Sequence, residues 1–68
     1  MNKDILKGQW MQLQGRVRQQ WGKFTDDDVA LIQGDRDVLM GMIQEYYGRS
    51  REQAQNDLDQ WLESQGVR

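Results

Sequence analysis

Leu13-Gln14-Gly15-Arg16-Val17-Arg18-Gln19-Gln20-Trp21-Gly22-Lys23 and Leu39-Met40-Gly41-Met42-Ile43-Gln44-Glu45-Tyr46-Tyr47-Gly48-Arg49 are two versions of one segment, set 26 residues apart. Each carries leucine, glycine, a β-branched residue, an aromatic residue, glycine and a cation at the same positions. The apolar members recur every four residues, so at about 100° per residue they fall on one helical stripe. The closing glycine of each copy ends a helix, because glycine takes the left-handed position after a helix at little cost.

Outward from the first copy, Leu6 and Trp10 continue the stripe backward and Phe24 lies just beyond it. This predicts helix 1 over residues 3–21, with Gly22 as its left-handed stop. Thr25 opens helix 2: its hydroxyl suits an orphan backbone N–H, and Asp26, Asp27 and Asp28 place negative charge at the positive end of the helix dipole. Val29, Leu31 and Ile32 give it a short apolar face, and Gly34 stops it. Asp35 caps helix 3, residues 35–47, whose stripe is Val38, Leu39, Met42, Ile43, Tyr46 and Tyr47. Ser50 and Gln53 form a capping box for helix 4, residues 50–64, with Ala54, Leu58, Trp61 and Leu62 inward and Gly66 just past its end. No stretch alternates with period two. The expected fold is all-α: four helices in one domain, residues 1–68, with an internal repeat of offset 26. Two helical hairpins packed across one another are the simplest arrangement. An up-and-down four-helix bundle is the alternative, and the short helix 2 favours the crossed hairpins.

Three glycines do not explain themselves as stops. Gly8, Gly15 and Gly41 fall inside predicted helices on their polar sides, where each costs about 1 kcal/mol relative to alanine. Either a neighbouring backbone approaches them, or the helices simply tolerate the loss, or the helices are poised near unfolding and order on binding or drying.

Composition narrows function by exclusion. The 68 residues contain no histidine, cysteine or proline. Ser-His and Cys-His nucleophiles, disulfides and thiolate or imidazole metal sites are therefore ruled out. No Gly-rich phosphate loop is present. Asp26-Asp27-Asp28 is the densest acidic cluster, but three consecutive helical residues point about 100° apart and do not converge on a cation. A chain this short offers little room for a ligand-sized pocket. No catalytic, cofactor-binding or metal-binding residue is assigned, and no small-molecule substrate or cofactor is expected.

The longest apolar run, Val29-Ala30-Leu31-Ile32, is far below the roughly 18 residues of a membrane span. Residues 1–23 carry five cations against Asp4, a net +4, and residues 24–68 carry four arginines against ten acids, a net −6. An intramolecular match between the halves is favoured over nucleic acid or membrane binding. Mean hydropathy is −0.97, yet three tryptophans, two tyrosines and a phenylalanine argue for a folded chain. Trp10, Trp21 and Trp61 lie on apolar stripes and are expected in the core.

Trp10-x-x-Leu13-x-Gly15-x-Val17-Arg18-x-x-Trp21-Gly22-x-Phe24-Thr25-Asp26-Asp27-Asp28 resembles the signature of the CsbD-like family of small bacterial stress proteins. Gly34-x-Arg36-Asp37-x-Leu39-x-Gly41-x-Ile43-Gln44-x-x-Tyr47-Gly48 continues it, as do Ala54 and Trp61. The resemblance implies two orthogonally packed α-hairpins in the manner of SAM domains, and a general stress-response protein. It supplies no catalytic residue, cofactor or partner. Where members often carry lysine, this chain has Met40 and Met42, which makes helix 3 more apolar. The expected function is a non-enzymatic, cytoplasmic, monomeric protein that acts as a hydrophilic protectant or weak interaction module. The rival is a specific binding module for a protein partner, with Met11, Met40 or Tyr46 as its exposed patch, or for nucleic acid.

Overall fold

A computed structural model describes residues 5–66. These form five helices and no strand: α1 (Ile5–Gly8), α2 (Trp10–Gln20), α3 (Asp26–Ile32), α4 (Arg36–Tyr47) and α5 (Arg51–Ser64). Helix 1 was expected as one piece. Its first residues, 3 and 4, lie outside the described range, and the rest is divided at Gln9.

The division has a visible neighbour. Gln9 sits at φ −108° and ψ 14°, outside helical geometry. Its N–H still reaches the Ile5 carbonyl at 3.0 Å, but α2 restarts on the Gln9 carbonyl, which accepts from both Gln12 and Leu13. The backbone of Gly34 presses on this joint. A methyl group on Gly34 would lie 2.7 Å from the Lys7 Cα and 3.2 Å from the Trp10 Cβ. The chain reaches Gly34 through two consecutive left-handed residues, Gln33 at φ 49° and Gly34 at φ 77°. Gly8 therefore ends α1 and is not a helix-interior glycine.

Helix starts follow the sequence closely. The Thr25 hydroxyl accepts the Asp28 N–H while the Asp28 carboxylate accepts the Thr25 N–H, a reciprocal box with aspartate where glutamate is usual. Ser50 and Gln53 make the expected box. Asp35 accepts from Asp37 and Val38 N–H groups. Each such cap contributes about 1 kcal/mol.

Helix ends follow it less well. Gly48 is left-handed as expected, but Gly22 has no positive φ. Instead α2 ends through Trp21, at ψ 82°, and a turn in which the Phe24 N–H donates to the Trp21 carbonyl.

The core is wholly apolar among the described residues: no polar or charged residue is buried. Leu6, Leu13 and Val17 from α1 and α2 meet Leu39 and Ile43 from α4 and Ala54 and Leu58 from α5. Three expectations shift. Met40 is buried, which rotates the inner arc of α4 away from Val38 and leaves that residue exposed. In the seven-residue α3, Val29 and Ile32 face inward together, and Leu31, about 100° from Ile32, is 68% exposed. Trp10 packs on the core only in part.

α4 packs most extensively on α5, α2 packs on α3, and α3 bridges to α4. Gly15 and Gly41 have nothing within 4 Å of a would-be Cβ. No neighbouring backbone approaches them, so the packing explanation does not hold there. Gly15→Ala and Gly41→Ala are each expected to stabilise the chain by about 0.5–1 kcal/mol, raising Tm by several degrees in a thermal melt.

Candidate functional site

The closing positions of the two similar segments come together. The Lys23 backbone N–H donates to the Tyr47 hydroxyl at 3.0 Å, and its ammonium lies 5.0 Å from the Tyr47 ring centroid. The same ammonium reaches the Tyr46 carbonyl at 3.4 Å. Trp21, the counterpart of Tyr47, packs edge-on against Trp61 of α5 at 5.2 Å. Phe24 stacks beside Trp21 at 6.2 Å and stands edge-on to Tyr46 at 5.1 Å and to Tyr47 at 6.2 Å. Five aromatic rings thus hold the ends of α2, α4 and α5 in one place.

Over this cluster lies an open groove of about 480 Å³. Trp21, Tyr47 and Trp61 line it, together with Gln20, Gln60 and Ser64. Arg49, the counterpart of Lys23, also lines it. Its guanidinium holds Asp57 through two bonds of 3.0 and 3.2 Å, so the wall there carries no net charge. The groove runs on toward a smaller hollow of about 240 Å³ beside Arg16, which donates to the Gln65 side chain at 3.2 Å. A volume of this order falls within the roughly 300–1,000 Å³ of small-molecule sites. It is an open surface groove and not an enclosed pocket. The sequence signal was the matched pairs Trp21/Tyr47 and Lys23/Arg49, and it could not show that their ends meet.

The other residues singled out in the sequence are placed as follows. Asp26, Asp27 and Asp28 start α3. Asp26 pairs with Arg18, and Asp28 is occupied by its capping box and by the Tyr46 hydroxyl at 2.7 Å. Among the described residues no three acidic side chains converge as a metal site. Arg18–Asp26 is the one ion pair there that joins the basic and acidic halves. Arg36–Asp59 and Arg49–Asp57 both lie inside the acidic half. Among the described residues, then, the halves are matched by this one pair. Of Met11, Met40 and Tyr46, whose exposure would favour a protein partner, Met11 is 86% exposed, Met40 is in the core and Tyr46 is half-buried. No helix among the described residues is long and apolar enough to cross a membrane.

Asp28 and Tyr46 link α3 to α4 and set a pH dependence. The Thr25 backbone N–H, and then the Tyr46 hydroxyl, hold the Asp28 carboxyl below the usual carboxylate range. The same bond to Asp28 pushes the Tyr46 phenol above its ordinary value. For Asp28 the stabilisation is full above the unfolded value of about 3.9 and is lost as pH falls through the lower folded one. For Tyr46 it is full below about 10 and is lost as pH rises through the higher folded value. Tyr46→Phe is expected to flatten stability against pH at both extremes, read by urea denaturation between pH 2 and 11.

The family profile described as CsbD-like matches residues 4–56. The chain belongs to the CsbD-like family. The UPF0337 protein YjbJ of Escherichia coli strain K12 is 51% identical over 61 residues, covering 90% of this chain and 88% of that protein. The UPF0337 protein ECA0631 of Pectobacterium atrosepticum is 49% identical over the same shares. The UPF0337 protein PA4738 of Pseudomonas aeruginosa is 43% identical over 58 residues, 85% of this chain and 89% of that protein. No solved structure matches the chain. This CsbD-like chain places the last two turns of α5, with Leu58, Trp61 and Leu62 in the core, beyond the matched range.

Proposed function

We propose that this CsbD-like chain is a non-enzymatic stress-response protein that acts as a hydrophilic protectant, present in quantity and touching its clients weakly. The carrying observation is the surface. Among the described residues, Met11, Leu31 and Val38 are the only exposed large hydrophobics, and every polar side chain keeps contact with solvent. Such a surface has little with which to grip one partner tightly. The open glycines support the same reading: Gly15 and Gly41 weaken α2 and α4 with no packing in return. The helices then sit close to their unfolding point and tighten as water is withdrawn.

In this reading the chain is a single domain over residues 1–68, a cytoplasmic monomer with no catalytic, metal or cofactor residue. Its helices are two crossed hairpins, α2 with α3 and α4 with α5, generated by the 26-residue repeat. The pairing of α2 on α3 and α4 on α5 supports that arrangement, as does the equal burial of Leu13 with Leu39 and Val17 with Ile43.

The test is to dry or heat a labile enzyme with the protein or with an equal mass of inert protein. Greater recovery with the CsbD-like chain is expected, and equal recovery removes the reading. The Gly15→Ala/Gly41→Ala variant addresses the helices: it is expected to melt higher and to protect less.

A further inference from the structure

We propose that Met11 is a reversible oxidation site, where a peroxide delivers one oxygen atom to the thioether and a thiol-dependent sulfoxide reductase removes it again. The proposal stands apart from the protectant reading, since the sulfur can take up oxygen whether or not the protein shields enzymes.

Burial divides the methionines of the chain. Met11 is 86% exposed and Met40 is 4% exposed. Met42 is half-buried against the core, and Met1 lies outside the described residues. A thioether reacts where the oxidant can reach it, so access sets the order among side chains of the same chemistry. Among the described residues Met11 is also the most exposed of the large hydrophobics, ahead of Leu31 and Val38.

The backbone around Met11 widens that access. Residues one turn before and one turn after share a helical residue's face. Here they are Gly8, across the joint at Gln9, and Gly15. A Cβ on either would meet nothing within 4 Å. No side chain stands over Met11 from those two positions, and the same bare stretch leaves room for a reductase to close around the sulfoxide. Gly8 and Gly15 thereby gain a use that packing does not give them.

The chemistry balances. A sulfur lone pair attacks one peroxide oxygen, an S=O bond forms and the O–O bond breaks. Sulfur gives up two electrons, and with hydrogen peroxide the second oxygen leaves as water. Reduction by two thiols returns the thioether and yields a disulfide and a second water. The chain contains no cysteine, so both thiols come from the reductase and its reductant.

The fold tolerates this change at Met11 and not at Met40. A sulfoxide is polar. At Met11 it stands in water. At Met40 it would enter a core that, among the described residues, holds no buried polar residue to pair with its oxygen.

The experiment treats the full chain with hydrogen peroxide and follows each methionine by peptide mapping and mass spectrometry. Met11 is expected to oxidise at least roughly tenfold faster than Met40, and within about twofold of the rate of N-acetylmethionine amide. Oxidation at Met11 is expected to shift Tm by no more than about 4 °C. Methionine sulfoxide reductases for both epimers, with dithiothreitol, are expected to restore it. Met11→Leu is expected to melt as the parent does and to take up less peroxide in the fast phase. Equal rates at Met11 and Met40 would overturn the proposal, as would loss of the cooperative melt once Met11 is oxidised. So would a Met11 sulfoxide that the reductases leave in place, or fast uptake unchanged in Met11→Leu.

Discussion

Gly34→Ala is expected to lower stability by roughly 2–5 kcal/mol, from two separate costs. A left-handed residue with a Cβ costs about 1–2 kcal/mol, and Gly34 sits at φ 77°. The new methyl would also lie 2.7 Å from the Lys7 Cα, a backbone atom that moves only if α1 moves. Forcing such a contact costs about 1–3 kcal/mol. For a domain of this size the sum corresponds to a Tm lowered by roughly 10–40 °C. Gly48→Ala separates the two costs. Gly48 has φ 64° but open space around its would-be Cβ, so only the conformational cost applies and about 1–2 kcal/mol is expected. Thermal melts of both variants decide the matter: equal losses would mean that the approach of Gly34 to the α1–α2 joint carries no weight.

That joint marks the boundary of what could be read from the residues. Capping is a local matter of three or four residues, so Thr25, Asp35 and Ser50 announced themselves. The stripes of α2 and α5 were legible because four-residue spacing fixes a face. The break at Gln9 was not, because its neighbour Gly34 is 25 positions along and looked like an ordinary helix stop. Val38 and Leu31 were misplaced for a related reason. A wheel gives the width of an apolar arc but not which edge of it the other helices cover, and burial of Met40 decided that for α4. The groove was hidden in the same way. Trp21 and Trp61 each read as core, and both are, but that they border one groove depends on how the end of α2 meets the end of α5.

Trp61→Ala is expected to be the most damaging single change, at about 3–5 kcal/mol. A chain of 68 residues has roughly 3–10 kcal/mol to lose. Trp61 is 6% exposed and meets Trp21 edge-on at 5.2 Å, a contact that ties α5 to the end of α2. Removing the ring leaves Trp21 facing a void and takes away the aromatic pair, itself worth about 0.5–1.5 kcal/mol beyond burial. Urea denaturation followed by circular dichroism is expected to show a chain partly unfolded without denaturant. Trp61→Phe keeps an aromatic ring at the contact and is expected to lose less than half as much. Trp10→Ala, at a half-buried ring, should also cost less. A loss at Trp61 no greater than at Trp10 would mean that α5 is held by Ala54, Leu58 and Leu62 alone. The same reasoning extends to truncation. Ending the chain at residue 56 keeps the whole family-matched range but deletes Leu58, Trp61 and Leu62 from the core. Leu39 and Ile43 of α4 would then lose much of the helix they pack against most, so the shortened chain is expected not to fold.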